Sequence, residues 1–322
     1  MSRTSPGVAR ARPSSTALLP TAAALVTVVF WASAFVAIRH VGREITAGPL
    51  TLGRLVVGSV LLGAFLFARP RRWPARRDWI PLLVCGVLWF GLYNVALNEA
   101  ERRIDAGTAA MVIAVGPLVL ALLAGLFLGE GFPRQLMLGS AVAFAGVLVI
   151  GAASSSGDAQ TVGVLLCALA AVAYAVGVVA QKPLLGRLPA LEVTWLACVI
   201  GMICCLPFLP ALITETADAQ LSTIGWLVYL GAFPTALAFT TWAYALSHTS
   251  AGKLGATTYL VPPIAVGLGW LLLGETPVGL AFAGGALCLV GVYLSRRAPS
   301  RRQEPAAARA KHKQEQELEP PQ

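Results

Sequence analysis

Arg54 needs explaining first, because it stands inside an unbroken apolar stretch that spans residues 47–68. A cation among hydrocarbon costs about 2.5–3.5 kcal/mol on insertion scales, so it calls for a partner. Seven residues of helix place it ~10 Å from the nearer end of the stretch. Glu99 is one candidate partner and a substrate carboxylate is another, since the paired donors of guanidinium match either. Snorkelling, or a structural ion pair with Glu99, is the plainer alternative. Other apolar stretches carry Trp31, Tyr93, Asn94, Asn98, Tyr174, Trp242 and Tyr259, with Thr240, Thr241 and Tyr244 beside them. Polar groups so placed face protein or water rather than lipid. There they either line a cavity or join helix to helix. Pro117 and Pro262 complete the set of candidate substrate-binding residues. Each removes an amide donor and frees a carbonyl one turn earlier, and such groups survive at depth only against protein or water. A simple packing kink competes with that reading.

Other chemistries find little support. His40, His248 and His312 are scattered, and the six cysteines (Cys85, Cys167, Cys198, Cys204, Cys205, Cys288) lie in apolar runs without CxxC spacing. Small buried hydrophobes describe them better than metal or redox ligands. No GxxxxGK[ST] segment offers a nucleotide cradle. Neither metal nor cofactor is expected, and the chain does not read as an enzyme.

The elements that must hold these residues follow from composition. Of 322 residues, 57% are hydrophobic and 12% charged, with mean hydropathy +0.74. Soluble chains carry about 25% charged residues, so lipid is the implied solvent. Apolar segments of membrane-spanning length, about twenty residues, recur at 17–38, 47–68, 79–100, 106–128, 135–153, 161–181, 191–213, 224–247, 251–273 and 277–295. The expectation is an all-α integral membrane protein of ten transmembrane helices. The first segment exceeds a signal-peptide core and carries Trp31 and Phe35 where cleavage needs small residues, so it reads as a retained helix. Residues 1–16 form a basic tail, and 296–322 a polar, proline-containing tail that reads as disordered.

The net charge of +9 sits in tails and short loops, without the aromatic-interleaved basic face of a nucleic-acid binder. It reports orientation instead. With the N-terminus inside, the cytoplasmic loops hold Arg69, Arg71, Arg72, Arg76, Arg77, Arg134, Lys182, Arg187 and Lys253. The opposite loops hold Arg39, Arg43, Arg102 and Arg103. The positive-inside rule then places both termini in the cytoplasm of a cell-membrane protein.

An internal repeat sets the architecture. Sliding residues 97–150 onto 242–295 aligns Ala106 with Ala251, Gly107 with Gly252 and Pro117 with Pro262. It also aligns Gly129-Glu130 with Gly274-Glu275, Gly139 with Gly284, and Gly146 with Gly291. At a similar offset Trp31 meets Tyr174. Five spans per half, an odd number, make two inverted five-helix repeats, at 17–153 and 161–295, the arrangement of many secondary transporters. Glu130 and Glu275 precede helices and read as caps of those helices' amides.

Trp31-x-Ser33-x-Phe35, the two Gly-Glu turns, the midspan prolines Pro117 and Pro262, and the glycines Gly139 and Gly284 together resemble the EamA-type branch of the drug/metabolite transporter superfamily. The resemblance covers residues 17–295. It implies a ten-helix carrier whose central cavity opens alternately to each side, moving amino acids, other metabolites or drugs, with export the expected direction. Its partners are a small-molecule substrate and the bilayer, and a homodimer is compatible with it. The chain departs from the family at Glu99-Ala100-Glu101-Arg102-Arg103-Ile104-Asp105, a stretch more often uncharged. A membrane-embedded enzyme would need clustered acids or histidines near a membrane face, and a non-transporting scaffold has no use for inverted halves.

Overall fold

The computed structural model describes residues 15–68, 70–104, 109, 112–154, 161–273 and 279–297. Most of the basic tail, Asp105, Ala106, Gly107, the Gly274-Glu275 turn and most of the C-terminal tail lie outside the described residues. Every regular element among the described residues is helical. The first half supplies α1 (Ser15–Val41), α2 (Ala47–Phe67), α3 (Arg76–Glu101), α4 (Gly116–Phe127) and α5 (Arg134–Ser154). The second supplies α6 (Thr161–Leu184), α7 (Ala190–Cys204), α8 (Leu206–Asp218), α9 (Leu221–His248), α10 (Ala251–Leu272) and α11 (Gly279–Arg296). A helix satisfies its own backbone, which a bilayer demands. Phe65, Leu126, Leu165 and Leu271 turn outward and stay more than half exposed, as a lipid-facing surface requires.

Among the described residues, six helices are long and apolar enough to cross a membrane, or seven if α7 and α8 form one bent span. The segment expected to be one helix over 191–213 is in fact broken: α7 ends at Cys204, and α8 leaves at 53°. Pro207 and Pro210 cause the break, because neither can donate back into the preceding turn. The fourth segment is interrupted too. A turn at Ala114-Val115 precedes α4, and Pro117 sits in its first helical turn. In α10 a tight 3-10 turn at Thr258–Leu260 precedes Pro262.

Small residues bring the helices together. A methyl added at Gly146 would lie 2.6 Å from Gly284 O, and one at Gly291 would lie 2.5 Å from Gly139 O. α5 and α11 therefore cross antiparallel, through the glycines that the sequence repeat equates. α2 and α7 do the same, with Gly58 on Cys198, Gly63 on Trp195, and Trp195 Nε1 donating to Ser59 O at 3.1 Å. α1 joins α9 through Thr27–Thr241 (2.8 Å) and Ser33–Tyr229 (2.7 Å) hydroxyl pairs. Its counterpart pair is α6 and α3, where Gly177 rests on Trp89.

Two stretches of π-helix interrupt α3 at Cys85–Leu92 and α9 at Gly231–Leu237. The repeat offset of 145 superimposes them. Widened turns leave carbonyls short of their usual donors, and side chains take over. Asn94 Nδ2 donates to Trp89 O (3.2 Å) and Phe90 O (2.9 Å), and Thr235 Oγ1 donates to Leu230 O (2.8 Å).

Glu130 does cap a helix, but not the α5 that follows it. Its carboxylate accepts from Ala251 N (2.6 Å) and Gly252 N (3.0 Å), opening α10 in the other half of the chain. Lys182 holds the same loop from the other side, donating to Leu246 O (2.5 Å) and Thr249 O (2.7 Å). The carboxylate thus serves a helix dipole across the repeat boundary.

Candidate functional site

A cavity of about 70 Å³ lies where α1, α2, α3, α4, α6, α9 and α10 converge. Its wall is mostly aromatic and aliphatic. Trp31 and Phe35 come from α1, Trp89 and Tyr93 from α3, Tyr174 from α6 and Phe239 from α9. The rings brace one another edge to face or tilted: Trp31–Phe239 at 5.4 Å, Trp89–Phe239 at 4.9 Å and Trp89–Tyr174 at 5.6 Å between centroids. Such contacts hold the ring planes in place. Pro117 and Pro262 form part of the wall, each at the interruption of its helix described above.

Arg54 brings a full charge to this wall while only 3% exposed. Its Nε donates to Thr235 Oγ1 at 3.0 Å, beside the π-helical turn of α9. Thr235 in turn donates to Leu230 O, so its oxygen is oriented to accept. No carboxylate among the described residues lies within ion-pairing distance of the guanidinium. Glu99, the sequence candidate, pairs with Arg103 one turn away at 2.6 Å on a partly exposed surface. Arg54 is at the same time one of the residues that line the cavity.

Of the residues singled out by sequence, the structure brings Trp31, Arg54, Tyr93, Asn94, Pro117, Tyr174 and Pro262 to one wall. Asn94 reaches the wall with its amide nitrogen already committed to the π-helical carbonyls. The other three stand behind it. Asn98 donates to Thr51 Oγ1 at 2.9 Å, tying α3 to α2. Trp242 backs Trp31 at 5.0 Å between centroids, and Tyr259 is fully buried against α5 and α11. Trp89, Phe239, Thr258 and Thr235 went unread in the sequence. Trp89 was within reach, since it precedes Tyr93 by one helical turn and so shares its face.

Helices with outward apolar faces thus surround a mostly aromatic cavity whose wall carries the buried Arg54. Family comparison names the class: the EamA-like transporter family matches residues 19–152 and 161–297, and the chain belongs to it. A probable terminal-alkyne amino-acid exporter of Streptantibioticus cattleyicolor is 41% identical over 283 residues, covering 88% of this chain and 95% of that one. A probable amino-acid metabolite efflux pump of Salmonella typhimurium is 30% identical, covering 84% and 93%. A solved crystal structure shares the fold with TM-score 0.71 at 22% identity, covering 89% of this chain and 99% of its own.

Proposed function

We propose that this protein exports small amino acids with apolar side chains, holding the substrate carboxylate on Arg54 and the side chain among the cavity rings. The observation that carries this reading is the buried Arg54 guanidinium, hydrogen-bonded among the described residues through Nε to Thr235, in the wall of a mostly aromatic and aliphatic cavity. A cation with unused paired donors recognises a carboxylate, and π faces accept both hydrocarbon and the edge of an ammonium group. The relatives named as amino-acid exporters support the same substrate class.

The cycle is alternating access between two inverted five-helix halves, residues 17–153 and 161–295, in ten spans of the cell membrane with both termini cytoplasmic. The antiparallel crossings of α5 with α11 and α2 with α7 support the inversion, because repeat partners related by an in-plane axis meet that way. A cavity of about 70 Å³ is smaller than the ~150 Å³ that admits benzene. Substrate entry therefore requires the helices to part, and the proline and π-helical interruptions around the cavity are where they yield.

Counterflow in proteoliposomes tests the assignment. Vesicles preloaded with propargylglycine or leucine should take up the labelled amino acid through the wild-type protein, and Arg54→Met should abolish uptake while inserting normally. Absence of counterflow for both amino acids, or full activity in Arg54→Met, overturns it.

A further inference from the structure

The charged segment over residues 99–105, which begins in the last turn of α3, is not used by the carrier just described, and the structure sorts its described members. Glu99 and Arg103 neutralise each other on the surface. Glu101 turns the other way. Both of its carboxylate oxygens are buried without a hydrogen-bond partner among the described residues. Each of the other buried or bridging carboxylates among the described residues has at least one donor: Glu44 takes Gln220 N, Asp78 takes Arg187, Glu192 takes Arg72 N on one oxygen, Glu215 takes Thr46, and Glu130 caps α10. Glu101 also lies on the cavity's own stripe. Asn94 and Leu97 line the wall, and Glu101 follows them by seven and four residues, which places it on the same helix face about one turn, ~5.4 Å, past Leu97.

We propose that Glu101 is a proton-carrying site at the mouth of the cavity, through which an outgoing zwitterion is exchanged for an incoming proton. The proposal rests on the transport reading above. Among the described residues, the charged and titratable groups that interact electrostatically with Glu101 include Arg39 at the end of α1, Arg54 on α2, Tyr93 on α3 and Cys167 on α6. Ionised, Glu101 offsets two arginines. Protonated, it no longer offers a negative charge to the ammonium group of a substrate. A buried carboxylate with no hydrogen-bond donor is fixed in neither form, because only charges at a distance hold it ionised. An ammonium group entering the mouth and a proton on Glu101 compensate the same negative charge, so one excludes the other. In the cycle Glu101 takes a proton from the outer solution, carries it across as the empty carrier reorients, and releases it inward as substrate binds. One proton moves in for each amino acid moved out, and no bond other than the O–H bond forms or breaks.

Two measurements test this. Efflux of preloaded propargylglycine from wild-type proteoliposomes should speed up several-fold when the outside is made acid. In Glu101→Gln the rate, whatever its height, should no longer respond to the proton gradient, whereas Glu99→Gln should respond as wild type does. Infrared difference spectra of the purified protein, taken without substrate, should show a protonated-carboxyl band that changes with pH and vanishes in Glu101→Gln. Counterflow without acceleration in the wild type, or acceleration persisting in Glu101→Gln, overturns the coupling and leaves the transport reading standing. If propargylglycine is not carried at all, that reading fails, and an infrared band unchanged by pH or by the substitution then overturns Glu101 separately.

Discussion

At the scale of single residues, Arg54 and Glu101 are opposites in how they are read. Arg54 announces itself, since a lone cation inside an apolar stretch has few structural uses. Its partner could not be guessed. Thr235 lies 181 residues away, and nothing in the linear pattern joins the two. Glu101 looks like a loop charge among other loop charges, and only the continuation of α3 through that residue turns it inward. Two predictions follow from the observed pairs. Arg54→Lys keeps the charge but loses the paired donors and the bond to Thr235, interactions worth about 1.5–3 kcal/mol for a charged group. The apparent affinity for propargylglycine should fall by one to two orders of magnitude while the amount of protein in the membrane holds. Glu99→Gln breaks only a partly exposed i,i+4 pair worth at most ~0.5 kcal/mol. Its counterflow rate and membrane abundance should match the wild type. Joint loss of protein in both variants would restore the Arg54–Glu99 pair that the geometry excludes.

At the scale of elements, hydropathy locates helices well because every apolar run of sufficient length is forced to be helical in lipid. It is blind to how a helix is wound. The break between α7 and α8 runs through Leu206-Pro207-Phe208-Leu209-Pro210, a stretch as apolar as its flanks. The two prolines were the available signal. The π-helical stretches leave no such mark, because the extra residue per turn is set by what Asn94 and Thr235 can reach. Replacing Asn94 by Leu strands the carbonyls of Trp89 and Phe90 at a cost of about 1–3 kcal/mol. The thermal unfolding midpoint in detergent should drop, and Trp89 fluorescence should change with it. The α5–α11 crossing tolerates even less. Gly146→Leu drives a side chain into the backbone of Gly284 and Cys288. Size-exclusion profiles of the solubilised protein should show loss of the folded peak, whereas Gly225→Leu, with nothing near it, should leave the profile unchanged.

At the scale of the whole molecule, polar ties join the two halves at several points. Asp78 pairs with Arg187 at 2.6 Å, Glu130 caps α10, and Glu215 receives Thr46 N and Oγ1 at 2.7 Å each. Placed on the topology drawn from loop charge, the first two lie on the cytoplasmic side and the third on the outer side. The expected orientation rests on composition, on which loops are rich in arginine, and not on packing. The cross-repeat cap was not legible, because a glutamate in a Gly-Glu turn offers the same sequence whether it serves its own helix or a distant one. The topology makes a prediction that the antiparallel packing alone does not. Antiparallel repeat partners require an odd number of spans per half, so two such halves return the chain to the side where it began. Reporter fusions after Arg72, Gly157, Ala217 and Arg302 should then read inside, outside, outside and inside. The Ala217 position is the stringent one, since it lies near the end of α8 and follows the 53° bend. If α7 and α8 together form one bent span, the fusion there reads outside. If the chain instead turns back at Pro207 without crossing, it reads inside, the later spans reverse, and the C-terminal fusion reads outside.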